Sequence, residues 1–186
     1  MRKLTAFINT SLDGYYADGN GDMRWAHNTD KEWTDFAAEN AKGGGELVFG
    51  RITYELMANY WPTPLAMQQN PVVAERMNTM QKTVFSNTLN QSAWPRTRVA
   101  RGNLLTGARM LKEAEGEDMA ILGSGSIVSQ LAEAGLIDGL QIAIHPLVLG
   151  GGKRLFENAT GKFPLKLADT RRFGNGTVLL SYAPAA

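Results

Sequence analysis

Glycine and hydroxyl residues stand at two places where an apolar run turns into a helical period. Gly50-Arg51-Ile52-Thr53 follows Leu47-Val48-Phe49, and Gly123-Ser124-Gly125-Ser126 follows Met119–Leu122. A strand-to-helix junction of this kind offers unpaired backbone amides and the positive end of a helix dipole, which suits an anion such as phosphate. Arg51 adds a planar donor fork for a phosphate monoester, and Thr53 adds a hydroxyl in the first turn. The competing reading of the first junction is an ordinary helix cap with Arg51 as a solvated charge. At the second, Gly123 and Gly125 match two glycines of the G-x-G-x-x-G fingerprint while Val128 replaces the third, so the motif is incomplete. Two such junctions in one small chain say more than either alone, because a dinucleotide has a pyrophosphate, and often a 2′-phosphate, to hold. Ser86-Asn87, closing the run Thr83–Ser86, is a third candidate at the same edge, since open α/β sheets bind ligands beyond the carboxyl ends of their strands; a plain polar turn is the other reading.

For acid–base work the informative carboxylates are Asp13, Asp22, Asp30 and Asp35. Thr29-Asp30-Lys31-Glu32 fits a capping box in which Thr29 accepts from the Glu32 amide, and Trp33, Phe36, Ala37 and Ala41 then mark one helical face. At about 100° per residue, Asp30 falls on the margin of that face and is able to point inward, whereas Asp35 falls opposite it, toward solvent. The bland reading of Asp30 is a first-turn carboxylate favouring the helix dipole, worth ~0.3–1 kcal/mol. His27 and His145 are isolated, and a lone histidine is more often packed or solvated than catalytic, so neither receives a role. No G-x-S-x-G elbow is present for a serine triad. Gly150-Gly151-Gly152-Lys153 looks like the end of a phosphate-binding P-loop, but no Ser or Thr follows Lys153 and the spacing does not fit, which excludes nucleotide hydrolysis on that motif.

The elements that position these residues alternate in type. Strands are expected at Leu4–Ile8, Glu46–Phe49, Thr83–Ser86, Arg98–Ala100, Met119–Leu122, Leu140–His145, Leu165–Arg171 and Thr177–Tyr182. Helices are expected from Thr29 to the stop at Gly43-Gly44-Gly45, over Arg51–Ala58, from Asn70-Pro71 to about Met80, from Thr106, and over Ser126–Ala134. Such alternation means an α/β layer structure, and the last three strands, with short connections, suggest an antiparallel edge on a mainly parallel sheet of eight strands. At 186 residues the chain is expected to form one domain, residues 1–186. With no cysteine and two histidines, disulfide scaffolds, thiolate nucleophiles and zinc sites are set aside, and no metal is expected. Lys and Arg number 19 against 18 Asp and Glu, without long like-charge runs, so neither nucleic acid nor an anionic membrane is an expected partner. The apolar stretch Leu140–Leu149 is about half of a membrane span, and the N-terminus lacks a signal-peptide core, so a cytoplasmic protein is expected.

The order of the motifs resembles the dihydrofolate-reductase-like superfamily. These are Ser11-Leu12-Asp13-Gly14-Tyr15-Tyr16-Ala17, Gly21-Asp22-Met23-Arg24-Trp25, Phe49-Gly50-Arg51-Ile52-Thr53-Tyr54-Glu55, Val84-Phe85-Ser86, Gly123-Ser124-Gly125, and the run Pro146 to Phe156. More narrowly, the chain looks like stand-alone relatives of the reductase half of the bifunctional riboflavin-biosynthesis deaminase-reductase. The resemblance implies a three-layer α/β/α fold around a mixed sheet of about eight strands, with NADPH across the strand ends and hydride transfer to a pteridine-like or ribosylaminopyrimidine substrate. Carried over by position, it implies that Ala17, Gly50, Arg51 and Thr53 contact the cofactor, Arg51 and Thr53 at its phosphates. Ser86 and Asn87 would lie on its adenosine side, and Gly123, Ser124, Gly125 and Ser126 at its pyrophosphate and ribose. Asp13 and Trp25 would meet the substrate, the stretch Gly19–Trp25 would be a mobile loop over the nicotinamide, and Asp30 would assist protonation. Arg51 predicts preference for NADPH over NADH, with Arg101 as a second candidate for the 2′-phosphate. The deaminase half cannot be built here, because its zinc signature requires cysteine. A homodimer is expected through the apolar strand Leu140–His145 and the run Pro146–Leu149, read as a sheet edge. The reading from another class is an NADP-binding protein of the same fold without efficient turnover.

Overall fold

The computed structural model describes residues 1–42 and 45–185. Its main sheet has eight strands in the order β5-β4-β3-β6-β1-β7-β10-β9, and all eight expected strands are in it. Five strands run parallel with β1 (Leu4–Ser11): β3 (Glu46–Gly50), β4 (Gln81–Phe85), β5 (Thr97–Ala100), β6 (Met119–Leu122) and β7 (Gly139–His145). β10 (Val178–Pro184) runs antiparallel to β7, and β9 (Leu165–Arg172) antiparallel to β10. The antiparallel edge is therefore present, with the last strand inserted inside the one before it.

Helices cover both faces, as the mixed α/β pattern requires. The alternation Leu4, Ala6, Ile8 on β1, with Val48 and Ile121, packs against α5 (Leu104–Glu113) and α6 (Gly125–Glu133). On the other face Leu47, Phe49 and Val84 meet Tyr54 of α2 (Arg51–Tyr60), Met77 of α4 (Pro71–Thr79) and the buried Trp94. Farther along that face Ala143 and Leu179 meet Phe173 and Trp33 of α1 (Lys31–Lys42).

Several boundaries differ from expectation for local reasons. Asp30, not Thr29, caps α1: Asp30 Oδ1 accepts the Trp33 amide at 3.2 Å, while Asn28 Oδ1 takes the Asp30 amide at 2.8 Å. Glu32 is drawn away from a capping box by the Gly174 amide at 2.9 Å and the Arg171 guanidinium at 3.4 Å. The expected stop at Gly43 and Gly44 lies outside the described residues, although α1 does end at Lys42. α3 (Pro64–Gln69), capped by Thr63 with proline in its first turn, was not expected. Nor was a second sheet of two strands, β2 (Tyr15–Ala17) and β8 (Lys153–Arg154). β7 is not an edge: it lies between β1 and β10, and its apolar content is that of an interior strand. Among the described residues no helix is long and apolar enough to cross a membrane.

Candidate active site

Because β3 and β6 are parallel neighbours, the two glycine-hydroxyl junctions lie side by side at their carboxyl ends. They are tied to each other. The Gly50 amide donates to Ser124 Oγ at 3.0 Å, and the Ser124 amide donates to Thr53 Oγ1 at 3.1 Å. Neither α2 nor α6 has a side-chain bond from its own cap residue, so each helix start borrows from the other. The amides of Arg51 and Ile52, and of Gly125 and Ser126, have no carbonyl within their own helix to bond. Two helix dipoles and these amides thus converge on one place.

The backbone there is unusually close-set. Gly123 has φ 62°, and a Cβ on it would lie 3.2 Å from Thr53 Cγ2; Ser124 follows at φ 56°. A Cβ on Gly125 would lie 2.5 Å from the Tyr16 ring, so α6 starts directly against β2. Burial and the charge of Glu157 raise the Tyr16 phenol above its ordinary pKa, which keeps it protonated as a donor.

At the rim of this place the side chains are spoken for locally. Arg51 forms an i,i+4 pair with Glu55, 3.0 and 3.1 Å from its two oxygens, and is 43% exposed. The solvated-charge reading describes Arg51 as found, and an exposed pair of this type is worth about 0.3–0.5 kcal/mol, little enough for a phosphate to displace. Ser86 Oγ accepts from the amides of Thr88 and Leu89, and Asn87 Oδ1 from that of Gly102. Arg101 donates to the carbonyls of Asn87 and Leu89, which fixes a second guanidinium at the same edge. Ser126 is exposed at the start of α6.

The other half of the expected site lies at the ends of β1 and β7. Asp13 acts as a clamp: it accepts from Ser11 Oγ at 2.6 Å and from the amides of Leu149 and Gly150 at 3.1 and 2.8 Å. The Ser11 hydroxyl, then the Gly150 and Leu149 amides, hold its pKa down at about 2. Ala17 is buried where β2 meets β8. Trp25 sits on a 3-10 turn, Arg24–Ala26, with Nε1 donating to Asp22 O at 3.1 Å, and Asp18 and Asp22 fold the preceding loop on itself. Asp30 is half-buried, and its carboxylate is used as the α1 cap. Asp35 faces solvent in a pair with Lys31, as the helical phase requires.

Sequence reasoning missed the surroundings of His145. This buried residue ends β7, 2.9 Å from Asn9 Oδ1, with the indoles of Trp25 and Trp33 edge-on to its ring. Burial pushes its pKa below the usual imidazole value. Nearby in the sheet, Thr177 Oγ1 and Asn175 Nδ2 are buried without a hydrogen-bond partner among the described residues. Strand alternation puts Asn9 on the Phe7 face and His145 on the Ala143 face, which is the one signal in the sequence that could have joined them.

Comparison with known proteins shows the family and the fold. The family model for the RibD C-terminal domain matches residues 2–179. An uncharacterized protein of Bacillus subtilis (strain 168), YyaP, is 28% identical over 183 residues, spanning 98% of this chain and 95% of its own length. A putative riboflavin biosynthesis protein from Shewanella sp. PV-4 superposes with a TM-score of 0.75 at 23% identity, covering 99% of both chains. Dihydrofolate reductase from Enterococcus faecalis, complexed with NADP(H) and RAB-propyl, superposes with a TM-score of 0.65 at 18% identity over 99% of this chain and 97% of its own.

Proposed function

Because the chain belongs to the RibD C-terminal domain family, we propose that it is an NADPH-dependent reductase acting on a pteridine-like or ribosylaminopyrimidine substrate. The observation that carries this reading is the mutual capping of α2 and α6. The residues present fit a dinucleotide: two helix starts with unbonded first-turn amides lie side by side at the ends of β3 and β6, a place suited to an anion. Arg51, Thr53, Ser124 and Ser126 hold phosphates and ribose at this point, with Ser86, Asn87 and Arg101 at the adenosine end. NADPH, when bound, supplies the hydride for a C=N or C=O carbon. Trp25 holds a planar heterocycle and excludes water, backed by the aromatic core beneath α1. Asp30 Oδ1 is occupied as the α1 cap, so its part in protonation is to orient a water or polarise the substrate.

Titration with NADPH and NADH by fluorescence tests the reading. NADPH is expected to bind at least tenfold more tightly, and Arg51→Ala combined with Arg101→Ala to abolish that preference; equal affinities in the parent protein overturn it. The same use of Asp30 as a cap favours a second reading, a protein that binds NADP without efficient turnover. A panel of pterins and ribosylaminopyrimidines separates the two by NADPH oxidation. The expected partner is a second copy, now through the exposed Leu12 and Val148 at the end of β7 rather than through that strand's edge. Light scattering near 20.3 kDa at micromolar concentration would refute the dimer.

A further inference from the structure

His145 joins three separate parts of the chain. It is 4% exposed at the end of β7, and its Nε2 lies 2.9 Å from Asn9 Oδ1 on β1. The Trp25 indole stands edge-on to it at 5.6 Å and 86°, and the Trp33 indole at 5.5 Å and 68°. Trp25 belongs to the loop that precedes α1, and Trp33 to the first turn of α1, where its amide meets Asp30. One imidazole therefore touches the sheet, the loop and the helix that surround the substrate end of the cleft.

A phenyl ring would fill this aromatic cage without the cost of burying a polar head. What imidazole adds is direction, because the bond to Asn9 sets the plane of the ring and with it the face on which Trp25 rests. The loop's own bonds run within it: Asp18 Oδ1 accepts from Asn20 and Asp22, Asp22 accepts from Arg24, and Trp25 donates to Asp22. These give the loop a shape but do not attach it to the sheet, so the indole–imidazole contact serves as a tie. The strand end also has hydrogen-bonding capacity that the fold does not use. Val178 pairs with Ile144, so Thr177 comes next to His145, and its buried hydroxyl and Asn175 Nδ2 have no partner among the described residues.

We propose that His145 is a positioning residue: fixed by Asn9, it seats the Trp25 indole and holds loop 18–26 closed over the substrate end of the cleft. The word substrate rests on the reductase reading; the tie itself does not. The groups beside the ring on β1 and just before β10 are uncharged, Asn9, Ser11 and Thr177. On the loop Asp22 and Arg24 pair with each other, and on α1 Asp30 is occupied as the cap and Glu32 by Arg171. Burial holds the imidazole neutral at pH 7, and protonation in this desolvated cage would disturb its contact with the indole.

The experiment uses the whole protein without added ligand. Tryptophan emission is followed from pH 8 to pH 5, and trypsin cleavage after Arg24 is timed at pH 7.5. The parent protein is expected to show an emission transition with a midpoint below 6.5. Trp25→Phe should remove at least half of its amplitude, and His145→Phe all of it. His145→Phe should also speed cleavage after Arg24 at least tenfold while leaving other sites unchanged. If His145→Phe does not fold, Trp25→Phe decides alone through the amplitude. A transition that survives His145→Phe, an amplitude unchanged by Trp25→Phe, or a cleavage rate within twofold of the parent would overturn the proposal. NADPH affinity of the parent protein is measured alongside. Absence of NADPH binding in the parent would defeat the reductase reading and leave the tie to be judged by the ligand-free results.

Discussion

Thr53→Val removes the hydroxyl that accepts from the Ser124 amide and, on the reductase reading, meets a cofactor phosphate, which makes it a sharp probe of the paired helix starts. The two side chains are nearly isosteric, and Thr53 is buried, so valine keeps the packing against Gly123. What is lost is the partner of the Ser124 amide, in a bond buried at both ends. Leaving a buried amide unmet costs about 1–3 kcal/mol. For a chain of 186 residues, each 1 kcal/mol lowers Tm by about 2–4 °C, so a mid-range loss predicts a fall of about 4–8 °C. The same change frees the start of α6 from α2 and misaligns the amides of Gly125 and Ser126, so NADPH affinity should fall about tenfold, equivalent to about 1.4 kcal/mol. Thermal melting followed by circular dichroism and NADPH titration by fluorescence give the two numbers, and Ser124→Ala, alone and combined, closes a double-mutant cycle with expected coupling of at least about 0.5 kcal/mol. A folded Thr53→Val protein that binds NADPH within twofold of the parent would show that the converging amides do not hold the cofactor.

Three further outcomes are expected. Lys82 is 1% exposed, donates to the carbonyls of Met80, Pro95 and Asn78, and lies 4.4 Å from the centre of the Trp94 ring. Burial, then the charge of Arg96, lowers its pKa from 10.5 to about 8. Below pH 8 both folded and unfolded chains hold the proton, and between pH 8 and 10.5 the folded chain releases it first. Stability should therefore rise through that window, by at most about 3 kcal/mol, and the rise should disappear in Lys82→Met; unfolding free energies from urea titration that change equally between pH 7.5 and 10 in parent and variant would refute this. Asp13, with its pKa lowered to about 2, stabilises the fold above pH 3.8 and loses that contribution as pH falls toward 2. Asp13→Asn should thus be less stable than the parent at pH 7 and equal to it near pH 2, and a deficit unchanged with pH would disprove the clamp. Asp30→Asn keeps a good helix cap, so folding and NADPH affinity should hold while turnover on any substrate found falls ~10²-fold; normal turnover in Asp30→Asn with loss in Asp35→Asn would mean the wrong carboxylate was chosen.

Most strands of the main sheet could be read because they are short apolar or alternating runs between turn residues, a pattern that survives without knowledge of its neighbours; β9, LKLADTRR, is polar and showed itself by its place between short connections. β2 and β8 could not, since Tyr15–Ala17 and Lys153–Arg154 are too short to show a period and are brought together by the Asp13 clamp across the chain. The start of α1 was misplaced by one residue because Thr29 and Asp30 both suit a cap, and the choice is made by Asn28, which takes the Asp30 amide. The glycine-hydroxyl junctions were legible one at a time, whereas their mutual bonding depends on β3 lying next to β6. His145 was invisible as a site for the same reason: its partners come from residues 9, 25 and 33.

The bonds that finish the two helix starts span 74 and 71 residues of chain. Neither α2 nor α6 can be completed by its own neighbourhood, so this corner is absent until β3 and β6 have paired. Contacts of such separation carry a large loop-closure cost and form late in folding. The Gly50–Ser124–Thr53 corner should therefore have φ-values near zero, and Thr53→Val should speed unfolding with little change in the folding rate. A partly folded chain would expose its helices and core without offering a place for phosphate, so affinity for the cofactor would belong to the complete topology alone, and bound cofactor would act chiefly as a brake on unfolding.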